Sequence, residues 1–551
     1  PFVPSNSVAN MFAMVQLKAP EQIGQSSKNH VRFNFVVLVD ISSSMKQNNK
    51  LAHVQATLEY LIGKLGTDNN NRFCLIAFNH ETNMLTNGLT SLNCENLTNI
   101  KQQLHNLKPA GSTDIGGALF VALEIINSAK KFNQLSYCDS PDSMKTDVYS
   151  ILLFTDGLAN IGLKGTSLVD TLKSDWYQCS AKDVVINTFG YGEDHDSTLL
   201  QHIALSSGGG MYYFVPSIEY IPCTFGECLA GLLHSVATDI KLSVEAFDGC
   251  RLIQFCLPAS KVEEVKPNKQ YNIQMGTLSV CETRTMLFRV SLRKMDAELR
   301  PHKLAKIQIS YRNTLTGNED TVSLDLNVDR PASCPKVVCA AMVPPELSKS
   351  MNRFNAVSAI QESVSKCYNR DYTEAQKTVC NCVQQIESSS TALEPYCLDL
   401  VRDLKICSGI LSEEKSFLKG VHFAYAYSTM YMMERAAGVA SFDSSLLTPF
   451  AKEEVIKSKK QVHGYGYTSW VQEEESKQAC AEVKKYIHNY MEGTVLQEKI
   501  PAPSPKPQIQ IEDVFNLKKS GSFGSTPSGA SMLKKSIGGE IVGTNYVLTS
   551  S

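Results

Sequence analysis

The first residues whose types and spacing could do chemistry are Asp40, Ser42 and Ser44, in the run Asp40-Ile41-Ser42-Ser43-Ser44. One carboxylate and two hydroxyls at alternate positions converge when the backbone curls. All three are oxygen donors, which Mg2+ and other hard cations prefer while keeping some of their waters. Serine is common, so the pattern gains weight from partners elsewhere. Thr113, in Gly111-Ser112-Thr113, stands at the start of a helical stretch, where its hydroxyl can face a crevice. Asp156, in Thr155-Asp156-Gly157, follows an apolar stretch and supplies a second carboxylate.

The elements around these residues must bring them to one edge. The stretch 31–39 holds Val36, Val37, Leu38 and Val39 in a row, as a strand covered on both faces does. After it, Leu51, Val54, Leu58, Leu61, Ile62 and Leu65 have helical spacing. Further strands are expected at 73–78, 148–154, 183–189 and 210–214, and helices at 97–107, 115–126, 167–178, 199–205 and 218–236. Strand alternating with helix predicts an α/β fold with a doubly wound, mostly parallel sheet. Its ligand site belongs outside the carboxyl ends of the strands, at a switch in strand order.

Together, Asp40, Ser42, Ser44, Thr113 and Asp156 resemble the metal-ion-dependent adhesion site of the von Willebrand factor A family, and the order of elements agrees over 31–236. The one departure is Ser43, where the family commonly has glycine; a Cβ there tightens the turn without removing a ligand. The resemblance implies Mg2+, with Mn2+ or Ca2+ as substitutes. It implies Ser42 and Ser44 as direct ligands, Thr113 direct or through water, and Asp40 and Asp156 mostly through water. One position is left for an Asp or Glu of a partner protein, which makes the chain a metal-dependent protein–protein interaction module within a larger assembly. The alternatives are a metal-free structural scaffold, the substrate-binding part of a ubiquitin-ligase-like protein, or a metal-dependent hydrolase. Some relatives of this build carry a RING finger, whose cysteine and histidine ladder is absent here.

Little in the sequence favours catalysis, and the chain is expected not to be an enzyme. It has no GxxxxGK[ST] loop and no Ser/His/Asp signature. His195, in the loop Gly192-Glu193-Asp194-His195-Asp196, reads as a solvated loop histidine. Gly208-Gly209-Gly210 precedes a strand and lacks a following lysine, so it reads as a tight turn, not a phosphate cradle.

The 551 residues divide by texture. Residues 1–30 are expected to give a strand, 12–18, that pairs with a strand of 240–328 in a β-sandwich. The α/β domain follows at 31–236, an antiparallel β-sandwich at 237–330, a proline-marked linker at 331–347 and a helical domain at 348–437. The aromatic run Phe423, Tyr425, Tyr427 and Tyr431 reads as helical core or as a binding face. Residues 438–500 form a mixed extension, and 501–551 a low-complexity tail whose β-prone stretch 540–548 is expected to dock by adding a strand to a sheet edge.

Charge and cysteines narrow the partners. Fifty-three basic against 55 acidic residues, without a basic block, argue against nucleic acid. No apolar run reaches the ~20 residues a transmembrane helix needs. Seventeen cysteines, an odd number and thinly spread, predict a reducing, cytoplasmic setting. The pairs Cys334/Cys339 and Cys380/Cys382 have no histidine at zinc-finger spacing. The chain opens Pro1-Phe2-Val3 without an initiator methionine, so its start carries no inference about a leader.

Overall fold

Two apolar stretches open the chain and part company at once. The first forms strand β1 (Ala9–Lys18) and joins a distant sandwich; the second forms β2 (Val31–Asp40) and becomes the centre of another sheet. This computed structural model describes residues 9–21, 31–66, 70–136, 146–331, 343–437 and 439, except 173, 175–176, 178–179, 182, 218–219, 258–260, 297 and 315; of the tail it describes the backbone of 532–536 and 540–550. Cys334, Cys339, Trp176, Trp470, the proline run 501–507 and the Gly/Ser-rich stretch 520–531 lie outside the described residues.

The central sheet adds β3 (Arg72–Phe78), β4 (Thr82–Met84), β5 (Thr90–Ser91), β6 (Thr146–Thr155), β7 (Val184–Tyr191) and β8 (Tyr212–Val215). Its order is β4-β3-β2-β6-β7-β8, with β5 beside β3. β2 pairs in parallel with β3 and β6, and β7 in parallel with β6 and β8, while β4 and β5 run antiparallel to β3. Parallel neighbours need long crossovers. Helices α1 (Lys50–Leu65), α2 (Cys94–His105), α3 (Ile115–Ser136), α4 (Gly165–Leu172), α5 (Ser197–Leu205) and α6 (Ile221–Leu233) lie in those crossovers and after the last strand. Phe35 to Val39 and Ile151 to Phe154 are fully buried, and each large aliphatic or aromatic among them stabilises the fold by about 1.5–3 kcal/mol over an exposed position. From β2 the chain moves first to β3 on one side and later to β6 on the other. The order therefore switches between β2 and β6, whose carboxyl ends carry Asp40 and Thr155.

Strands β9 (Ser235–Ala246), β10 (Cys250–Phe255), β11 (Val262–Lys266), β12 (Gln270–Ser279), β13 (Thr283–Leu292), β14 (Leu299–Asn313) and β15 (Glu319–Arg330) make two antiparallel sheets over a shared apolar core. β1 pairs with β13 along its whole length, from Ala9 opposite Leu292 to Lys18 opposite Thr283. The polypeptide on either side of the central sheet is thus closed into one sandwich. The other edge of β1 is taken by β17 (Glu540–Ser550), in register from Asn10 opposite Ser550 to Val15 opposite Asn545, and β17 is flanked by β16 (Met532–Ser536). Deleting residues 532–551 leaves that edge of β1 unpaired. Amides in 10–15 that bond to β17 are then expected to exchange with solvent markedly faster by mass spectrometry; unchanged protection would remove β17 from this edge.

Beyond the sandwich come α7 (Pro345–Tyr368), α8 (Tyr372–Glu387), α9 (Pro395–Ile410) and α10 (Glu414–Met433). The sequence suggests an independent helical unit, but these helices share one continuous apolar core with the central α/β sheet. Phe423, Tyr427, Met430 and Tyr431 are buried, so the aromatic run is core. Its polar members face α5: Thr198 Oγ1 donates to Tyr425 Oη at 2.7 Å, and Gln201 Nε2 donates to Ser428 Oγ at 2.9 Å and Thr429 Oγ1 at 2.7 Å.

Candidate functional site

At the carboxyl end of β2 the chain must leave the sheet. It does so through Ile41, whose N–H donates to Phe78 O at 2.8 Å and whose carbonyl accepts from Ala110 N at 2.7 Å. The next residue, Ser42, turns back: its N–H donates to Asp40 Oδ1 at 2.7 Å. Ser43 N then donates to Gly111 O at 3.1 Å, which ties this turn to the loop before α3. A side chain at position 43 is accommodated, and the turn runs on as a 3-10 segment, Ser43–Asn49.

The three segments do converge. Ser42 Oγ lies 3.0 Å from Ser44 Oγ, and Ser44 Oγ donates to Asp156 Oδ1 at 2.7 Å. Thr155 Oγ1 donates to the other oxygen of Asp40, Oδ2, at 2.5 Å. Thr113 is held by its backbone, its N–H donating to Asn160 Oδ1 at 2.8 Å and its carbonyl accepting from Asn160 N at 3.1 Å. Gly157 shows where the Thr113 hydroxyl lies: a Cβ built there would come within 3.0 Å of Thr113 Oγ1 and 3.5 Å of Asp40 Oδ2. Glycine keeps that space open between two of the oxygens. Asp40, Ser42, Thr113 and Asp156 are all at most 2% exposed.

The electrostatics of the cluster favour a cation. Burial above all, together with the nearby Asp156 charge, pushes the Asp40 carboxyl up to about 6, against the hydrogen bonds from Thr155 and Ser42. Two buried carboxylates beside three hydroxyls form a hard-oxygen donor set, and by the chemistry of their donors these residues fit a small divalent ion. Among the described residues there is no cluster of three or more His, Cys, Asp or Glu side chains able to hold a metal, so any ion here would depend on the hydroxyls.

One member of the site is missing from the sequence reading. Lys50, the first residue of α1 and 6% exposed, donates from Nζ to Asp156 Oδ2 at 2.6 Å. A cation in the first turn of a helix works against the helix dipole, and no acidic residue offsets it within that turn. That local mismatch, after the left-handed pair Asn48 and Asn49, is the signal the sequence offers for a lysine held by something else. The tip of Lys50 also abuts the loop after β7: Nζ lies 3.7 Å from Asp194 Oδ2, and a Cβ on Gly192 would come within 3.2 Å of Nζ.

That loop also corrects the reading of His195. It is 4% exposed, not solvated, with Nδ1 2.8 Å from Gly192 O and Nε2 2.7 Å from Tyr212 Oη. Its ring packs 4.3 Å, centroid to centroid, from that of His422 on α10, and His422 Nε2 donates to Glu193 O at 3.0 Å. Burial first, then the neighbouring His422, holds the His195 imidazole well below its usual range, so it is neutral core. Gly208-Gly209-Gly210 is a tight turn, with Gly209 at φ +120° packed on the backbone of Gly276 and Thr277.

With the geometry in hand, the chain can be set beside known proteins. Residues 34–225 match the family described as von Willebrand factor type A domain. Among curated proteins, an uncharacterized protein YfbK of Escherichia coli is 21% identical over 53% of this chain and 46% of its own length. Inter-alpha-trypsin inhibitor heavy chain H2 of Mesocricetus auratus is 24% identical over 55% of this chain and 27% of its own length. The chain thus spans less than half the length of these relatives. Among solved structures, a von Willebrand factor type A protein from Catenulispora acidiphila superposes with a TM-score of 0.58 at 17% identity, covering 73% of this chain and 87% of that one. The ArnB paralog VWA2 from Sulfolobus acidocaldarius gives 0.51 at 15% identity, covering 80% and 97%. The protein therefore contains a von Willebrand factor type A domain, a Rossmann-like α/β unit set within a larger chain of additional β-sheet and helical regions.

Proposed function

We propose that the Asp40/Ser42/Ser44/Thr113/Asp156 crevice is a protein-docking site in which a bound divalent ion receives an Asp or Glu carboxylate of a partner. The observation that carries this reading is the convergence of three chain segments in buried oxygen donors, two of them carboxylates, at the strand-order switch. Ser42, Ser44 and Thr113 would hold the ion through their hydroxyls, with Asp40 and Asp156 bracing it mostly through water. When bound, the ion supplies the positive charge that pairs with the partner's carboxylate, in a crevice where such a contact is stronger than a surface ion pair. The rim supports a protein as the occupant. Leu158, Ile161 and Leu163, on the loop that follows Asp156-Gly157, are 57%, 41% and 38% exposed and offer apolar contact beside the crevice.

The chain acts as a binding protein, not an enzyme, in keeping with its similarity to inter-alpha-trypsin inhibitor heavy chain H2 of Mesocricetus auratus and Mus musculus. A cytoplasmic setting within a larger assembly is part of the same proposal; the buried cysteines Cys74, Cys228, Cys250, Cys367, Cys397 and Cys407 are free thiols. A second reading is favoured by Lys50. Its ammonium already balances Asp156, so the domain can stand without metal as a structural scaffold. Partner capture from extract by the immobilised full chain separates the two. Metal-dependent docking predicts capture that is lost in EDTA, restored by Mg2+ or Mn2+, and lost in Ser42→Ala and Ser44→Ala with the fold retained. Capture that survives both EDTA and these substitutions leaves the scaffold.

A further inference from the structure

The ion pair of Lys50 with Asp156 has a consequence for the site itself. Lys50 reaches the crevice from the helix start, its side chain only 8% exposed, and its ammonium takes one oxygen of Asp156 while Ser44 takes the other. Both oxygens of the carboxylate that should brace the ion are thereby engaged from within the chain. A second acidic group stands within reach: Asp194 Oδ2 lies 3.7 Å from Lys50 Nζ, on a side chain 73% exposed. Gly192, at φ +72°, brings the loop backbone against the lysine tip without a side chain in the way.

We propose that Lys50 competes with the divalent ion for Asp156: its ammonium must leave Asp156 before an ion is held there, swinging towards Asp194, so that Lys50 sets the ion concentration at which docking becomes possible. This rests on the metal-dependent reading above. Lys50 and the ion compete for one charge. A buried carboxylate without a counter-charge is costly, so the chain supplies its own until a better one arrives. If the form with Lys50 withdrawn is a minor population, the apparent affinity for the ion is lowered in proportion to that population. The swing conserves charge pairing at both ends. Asp156 exchanges an ammonium for the ion, and Lys50 exchanges a buried carboxylate for an exposed one. The same loop is fastened to α10 through Glu193 O and His422, so the lysine moves against a fixed wall, not a free strap.

The test is calorimetric titration of Mg2+ and of Mn2+ into the full-length chain, wild type against Lys50→Met, which keeps most of the apolar stem, and Lys50→Arg, which keeps the charge. The expected result is weak binding by wild type and by Lys50→Arg, and binding about tenfold tighter or more by Lys50→Met. Metal binding by wild type with no gain in Lys50→Met overturns the proposal and leaves metal-dependent docking standing. Binding by Lys50→Met alone supports Lys50 as the ion's competitor and overturns metal dependence of the native protein. Binding by none overturns both. Because Lys50→Met strips a buried carboxylate of its partner and can fail to fold, a second measurement uses wild type only. Amine-labelling mass spectrometry should find Lys50 protected in EDTA and reactive when the ion is added at the concentration where calorimetry detects binding. Protection that persists in the ion-bound protein refutes the swing.

Discussion

Glu282→Gln is expected to destabilise the protein by about 3–5 kcal/mol, the range for removing one partner of a buried ion pair. Glu282 lies in the turn between β12 and β13 and is 6% exposed. It accepts from Arg435 Nε at 2.7 Å and Nη2 at 2.8 Å, from Ser279 N at 2.9 Å, and stands 3.4 Å from Arg284 Nη2. Arg435 follows the end of α10, so this two-pronged bond fastens the helical bundle to the sandwich. Arg284 is 3% exposed and two of its nitrogens, Nε and Nη1, are buried without a hydrogen-bond partner among the described residues. Without Glu282, two buried guanidiniums would face each other with their counter-charge gone.

The pH dependence follows with a definite sign. Burial pushes the Glu282 carboxyl up, but Arg435 and Arg284 together more than reverse this and hold it at about 2, down from an ordinary 4.5. A carboxylate depressed in the folded state contributes stability that is present above its unfolded value and lost as pH falls towards the folded one. The gap between wild type and Glu282→Gln, measured by denaturant unfolding, is therefore expected to be constant from neutral pH down to about 5 and to close between 4.5 and 2. A gap below about 1 kcal/mol at neutral pH would reduce this contact to the worth of a surface ion pair.

How far the sequence shows the site depends on how local each signal is. Strands such as β2 and β6 are buried on both faces and announce themselves as unbroken apolar runs, so Asp40 and Asp156 could be put at one sheet edge from pattern alone. Thr113 followed from a helix start. What pattern cannot reach is contact between distant side chains. Lys50 carries no motif; only its unfavourable place at the head of α1 hints that something acidic compensates it. His195 misleads for the same reason, since a histidine in a polar, glycine-containing loop gives no sign that His422, far along the chain, will cover it. The helical region likewise shows its period but not its destination. Stripes such as Val357, Ile360 and Val364 on α7 and Val379, Val383 and Ile386 on α8 say that a face is buried, and nothing in the periodic pattern says that α10 packs against β8 and α5.

That shared core makes the second large effect a single methyl group at Gly190. This residue is next to last in β7, opposite Thr155 of β6 and Phe214 of β8, at the same sheet end as the docking crevice. A Cβ built on it would lie 2.2 Å from His195 Nε2 and 2.4 Å from its Cδ2, well inside any tolerable contact. The ring cannot retreat easily. It is held at both nitrogens, by Gly192 O and Tyr212 Oη, and is backed by His422 and by Phe214 with ring centroids 5.7 Å apart. Gly190→Ala must therefore displace His195, leave Gly192 O and Tyr212 Oη short of a partner, and loosen the loop that α10 grips through Glu193 O. Overpacking together with a lost buried hydrogen bond gives an expected cost of about 3 kcal/mol in denaturant unfolding. The cause can be isolated by a double-mutant cycle with His195→Ala. Removing the imidazole vacates the volume the methyl needs, so Gly190→Ala should cost far less in the His195→Ala background than in wild type. Equal costs in both backgrounds would mean that the methyl strains the strand itself and that His195 does not fill the space beside Gly190.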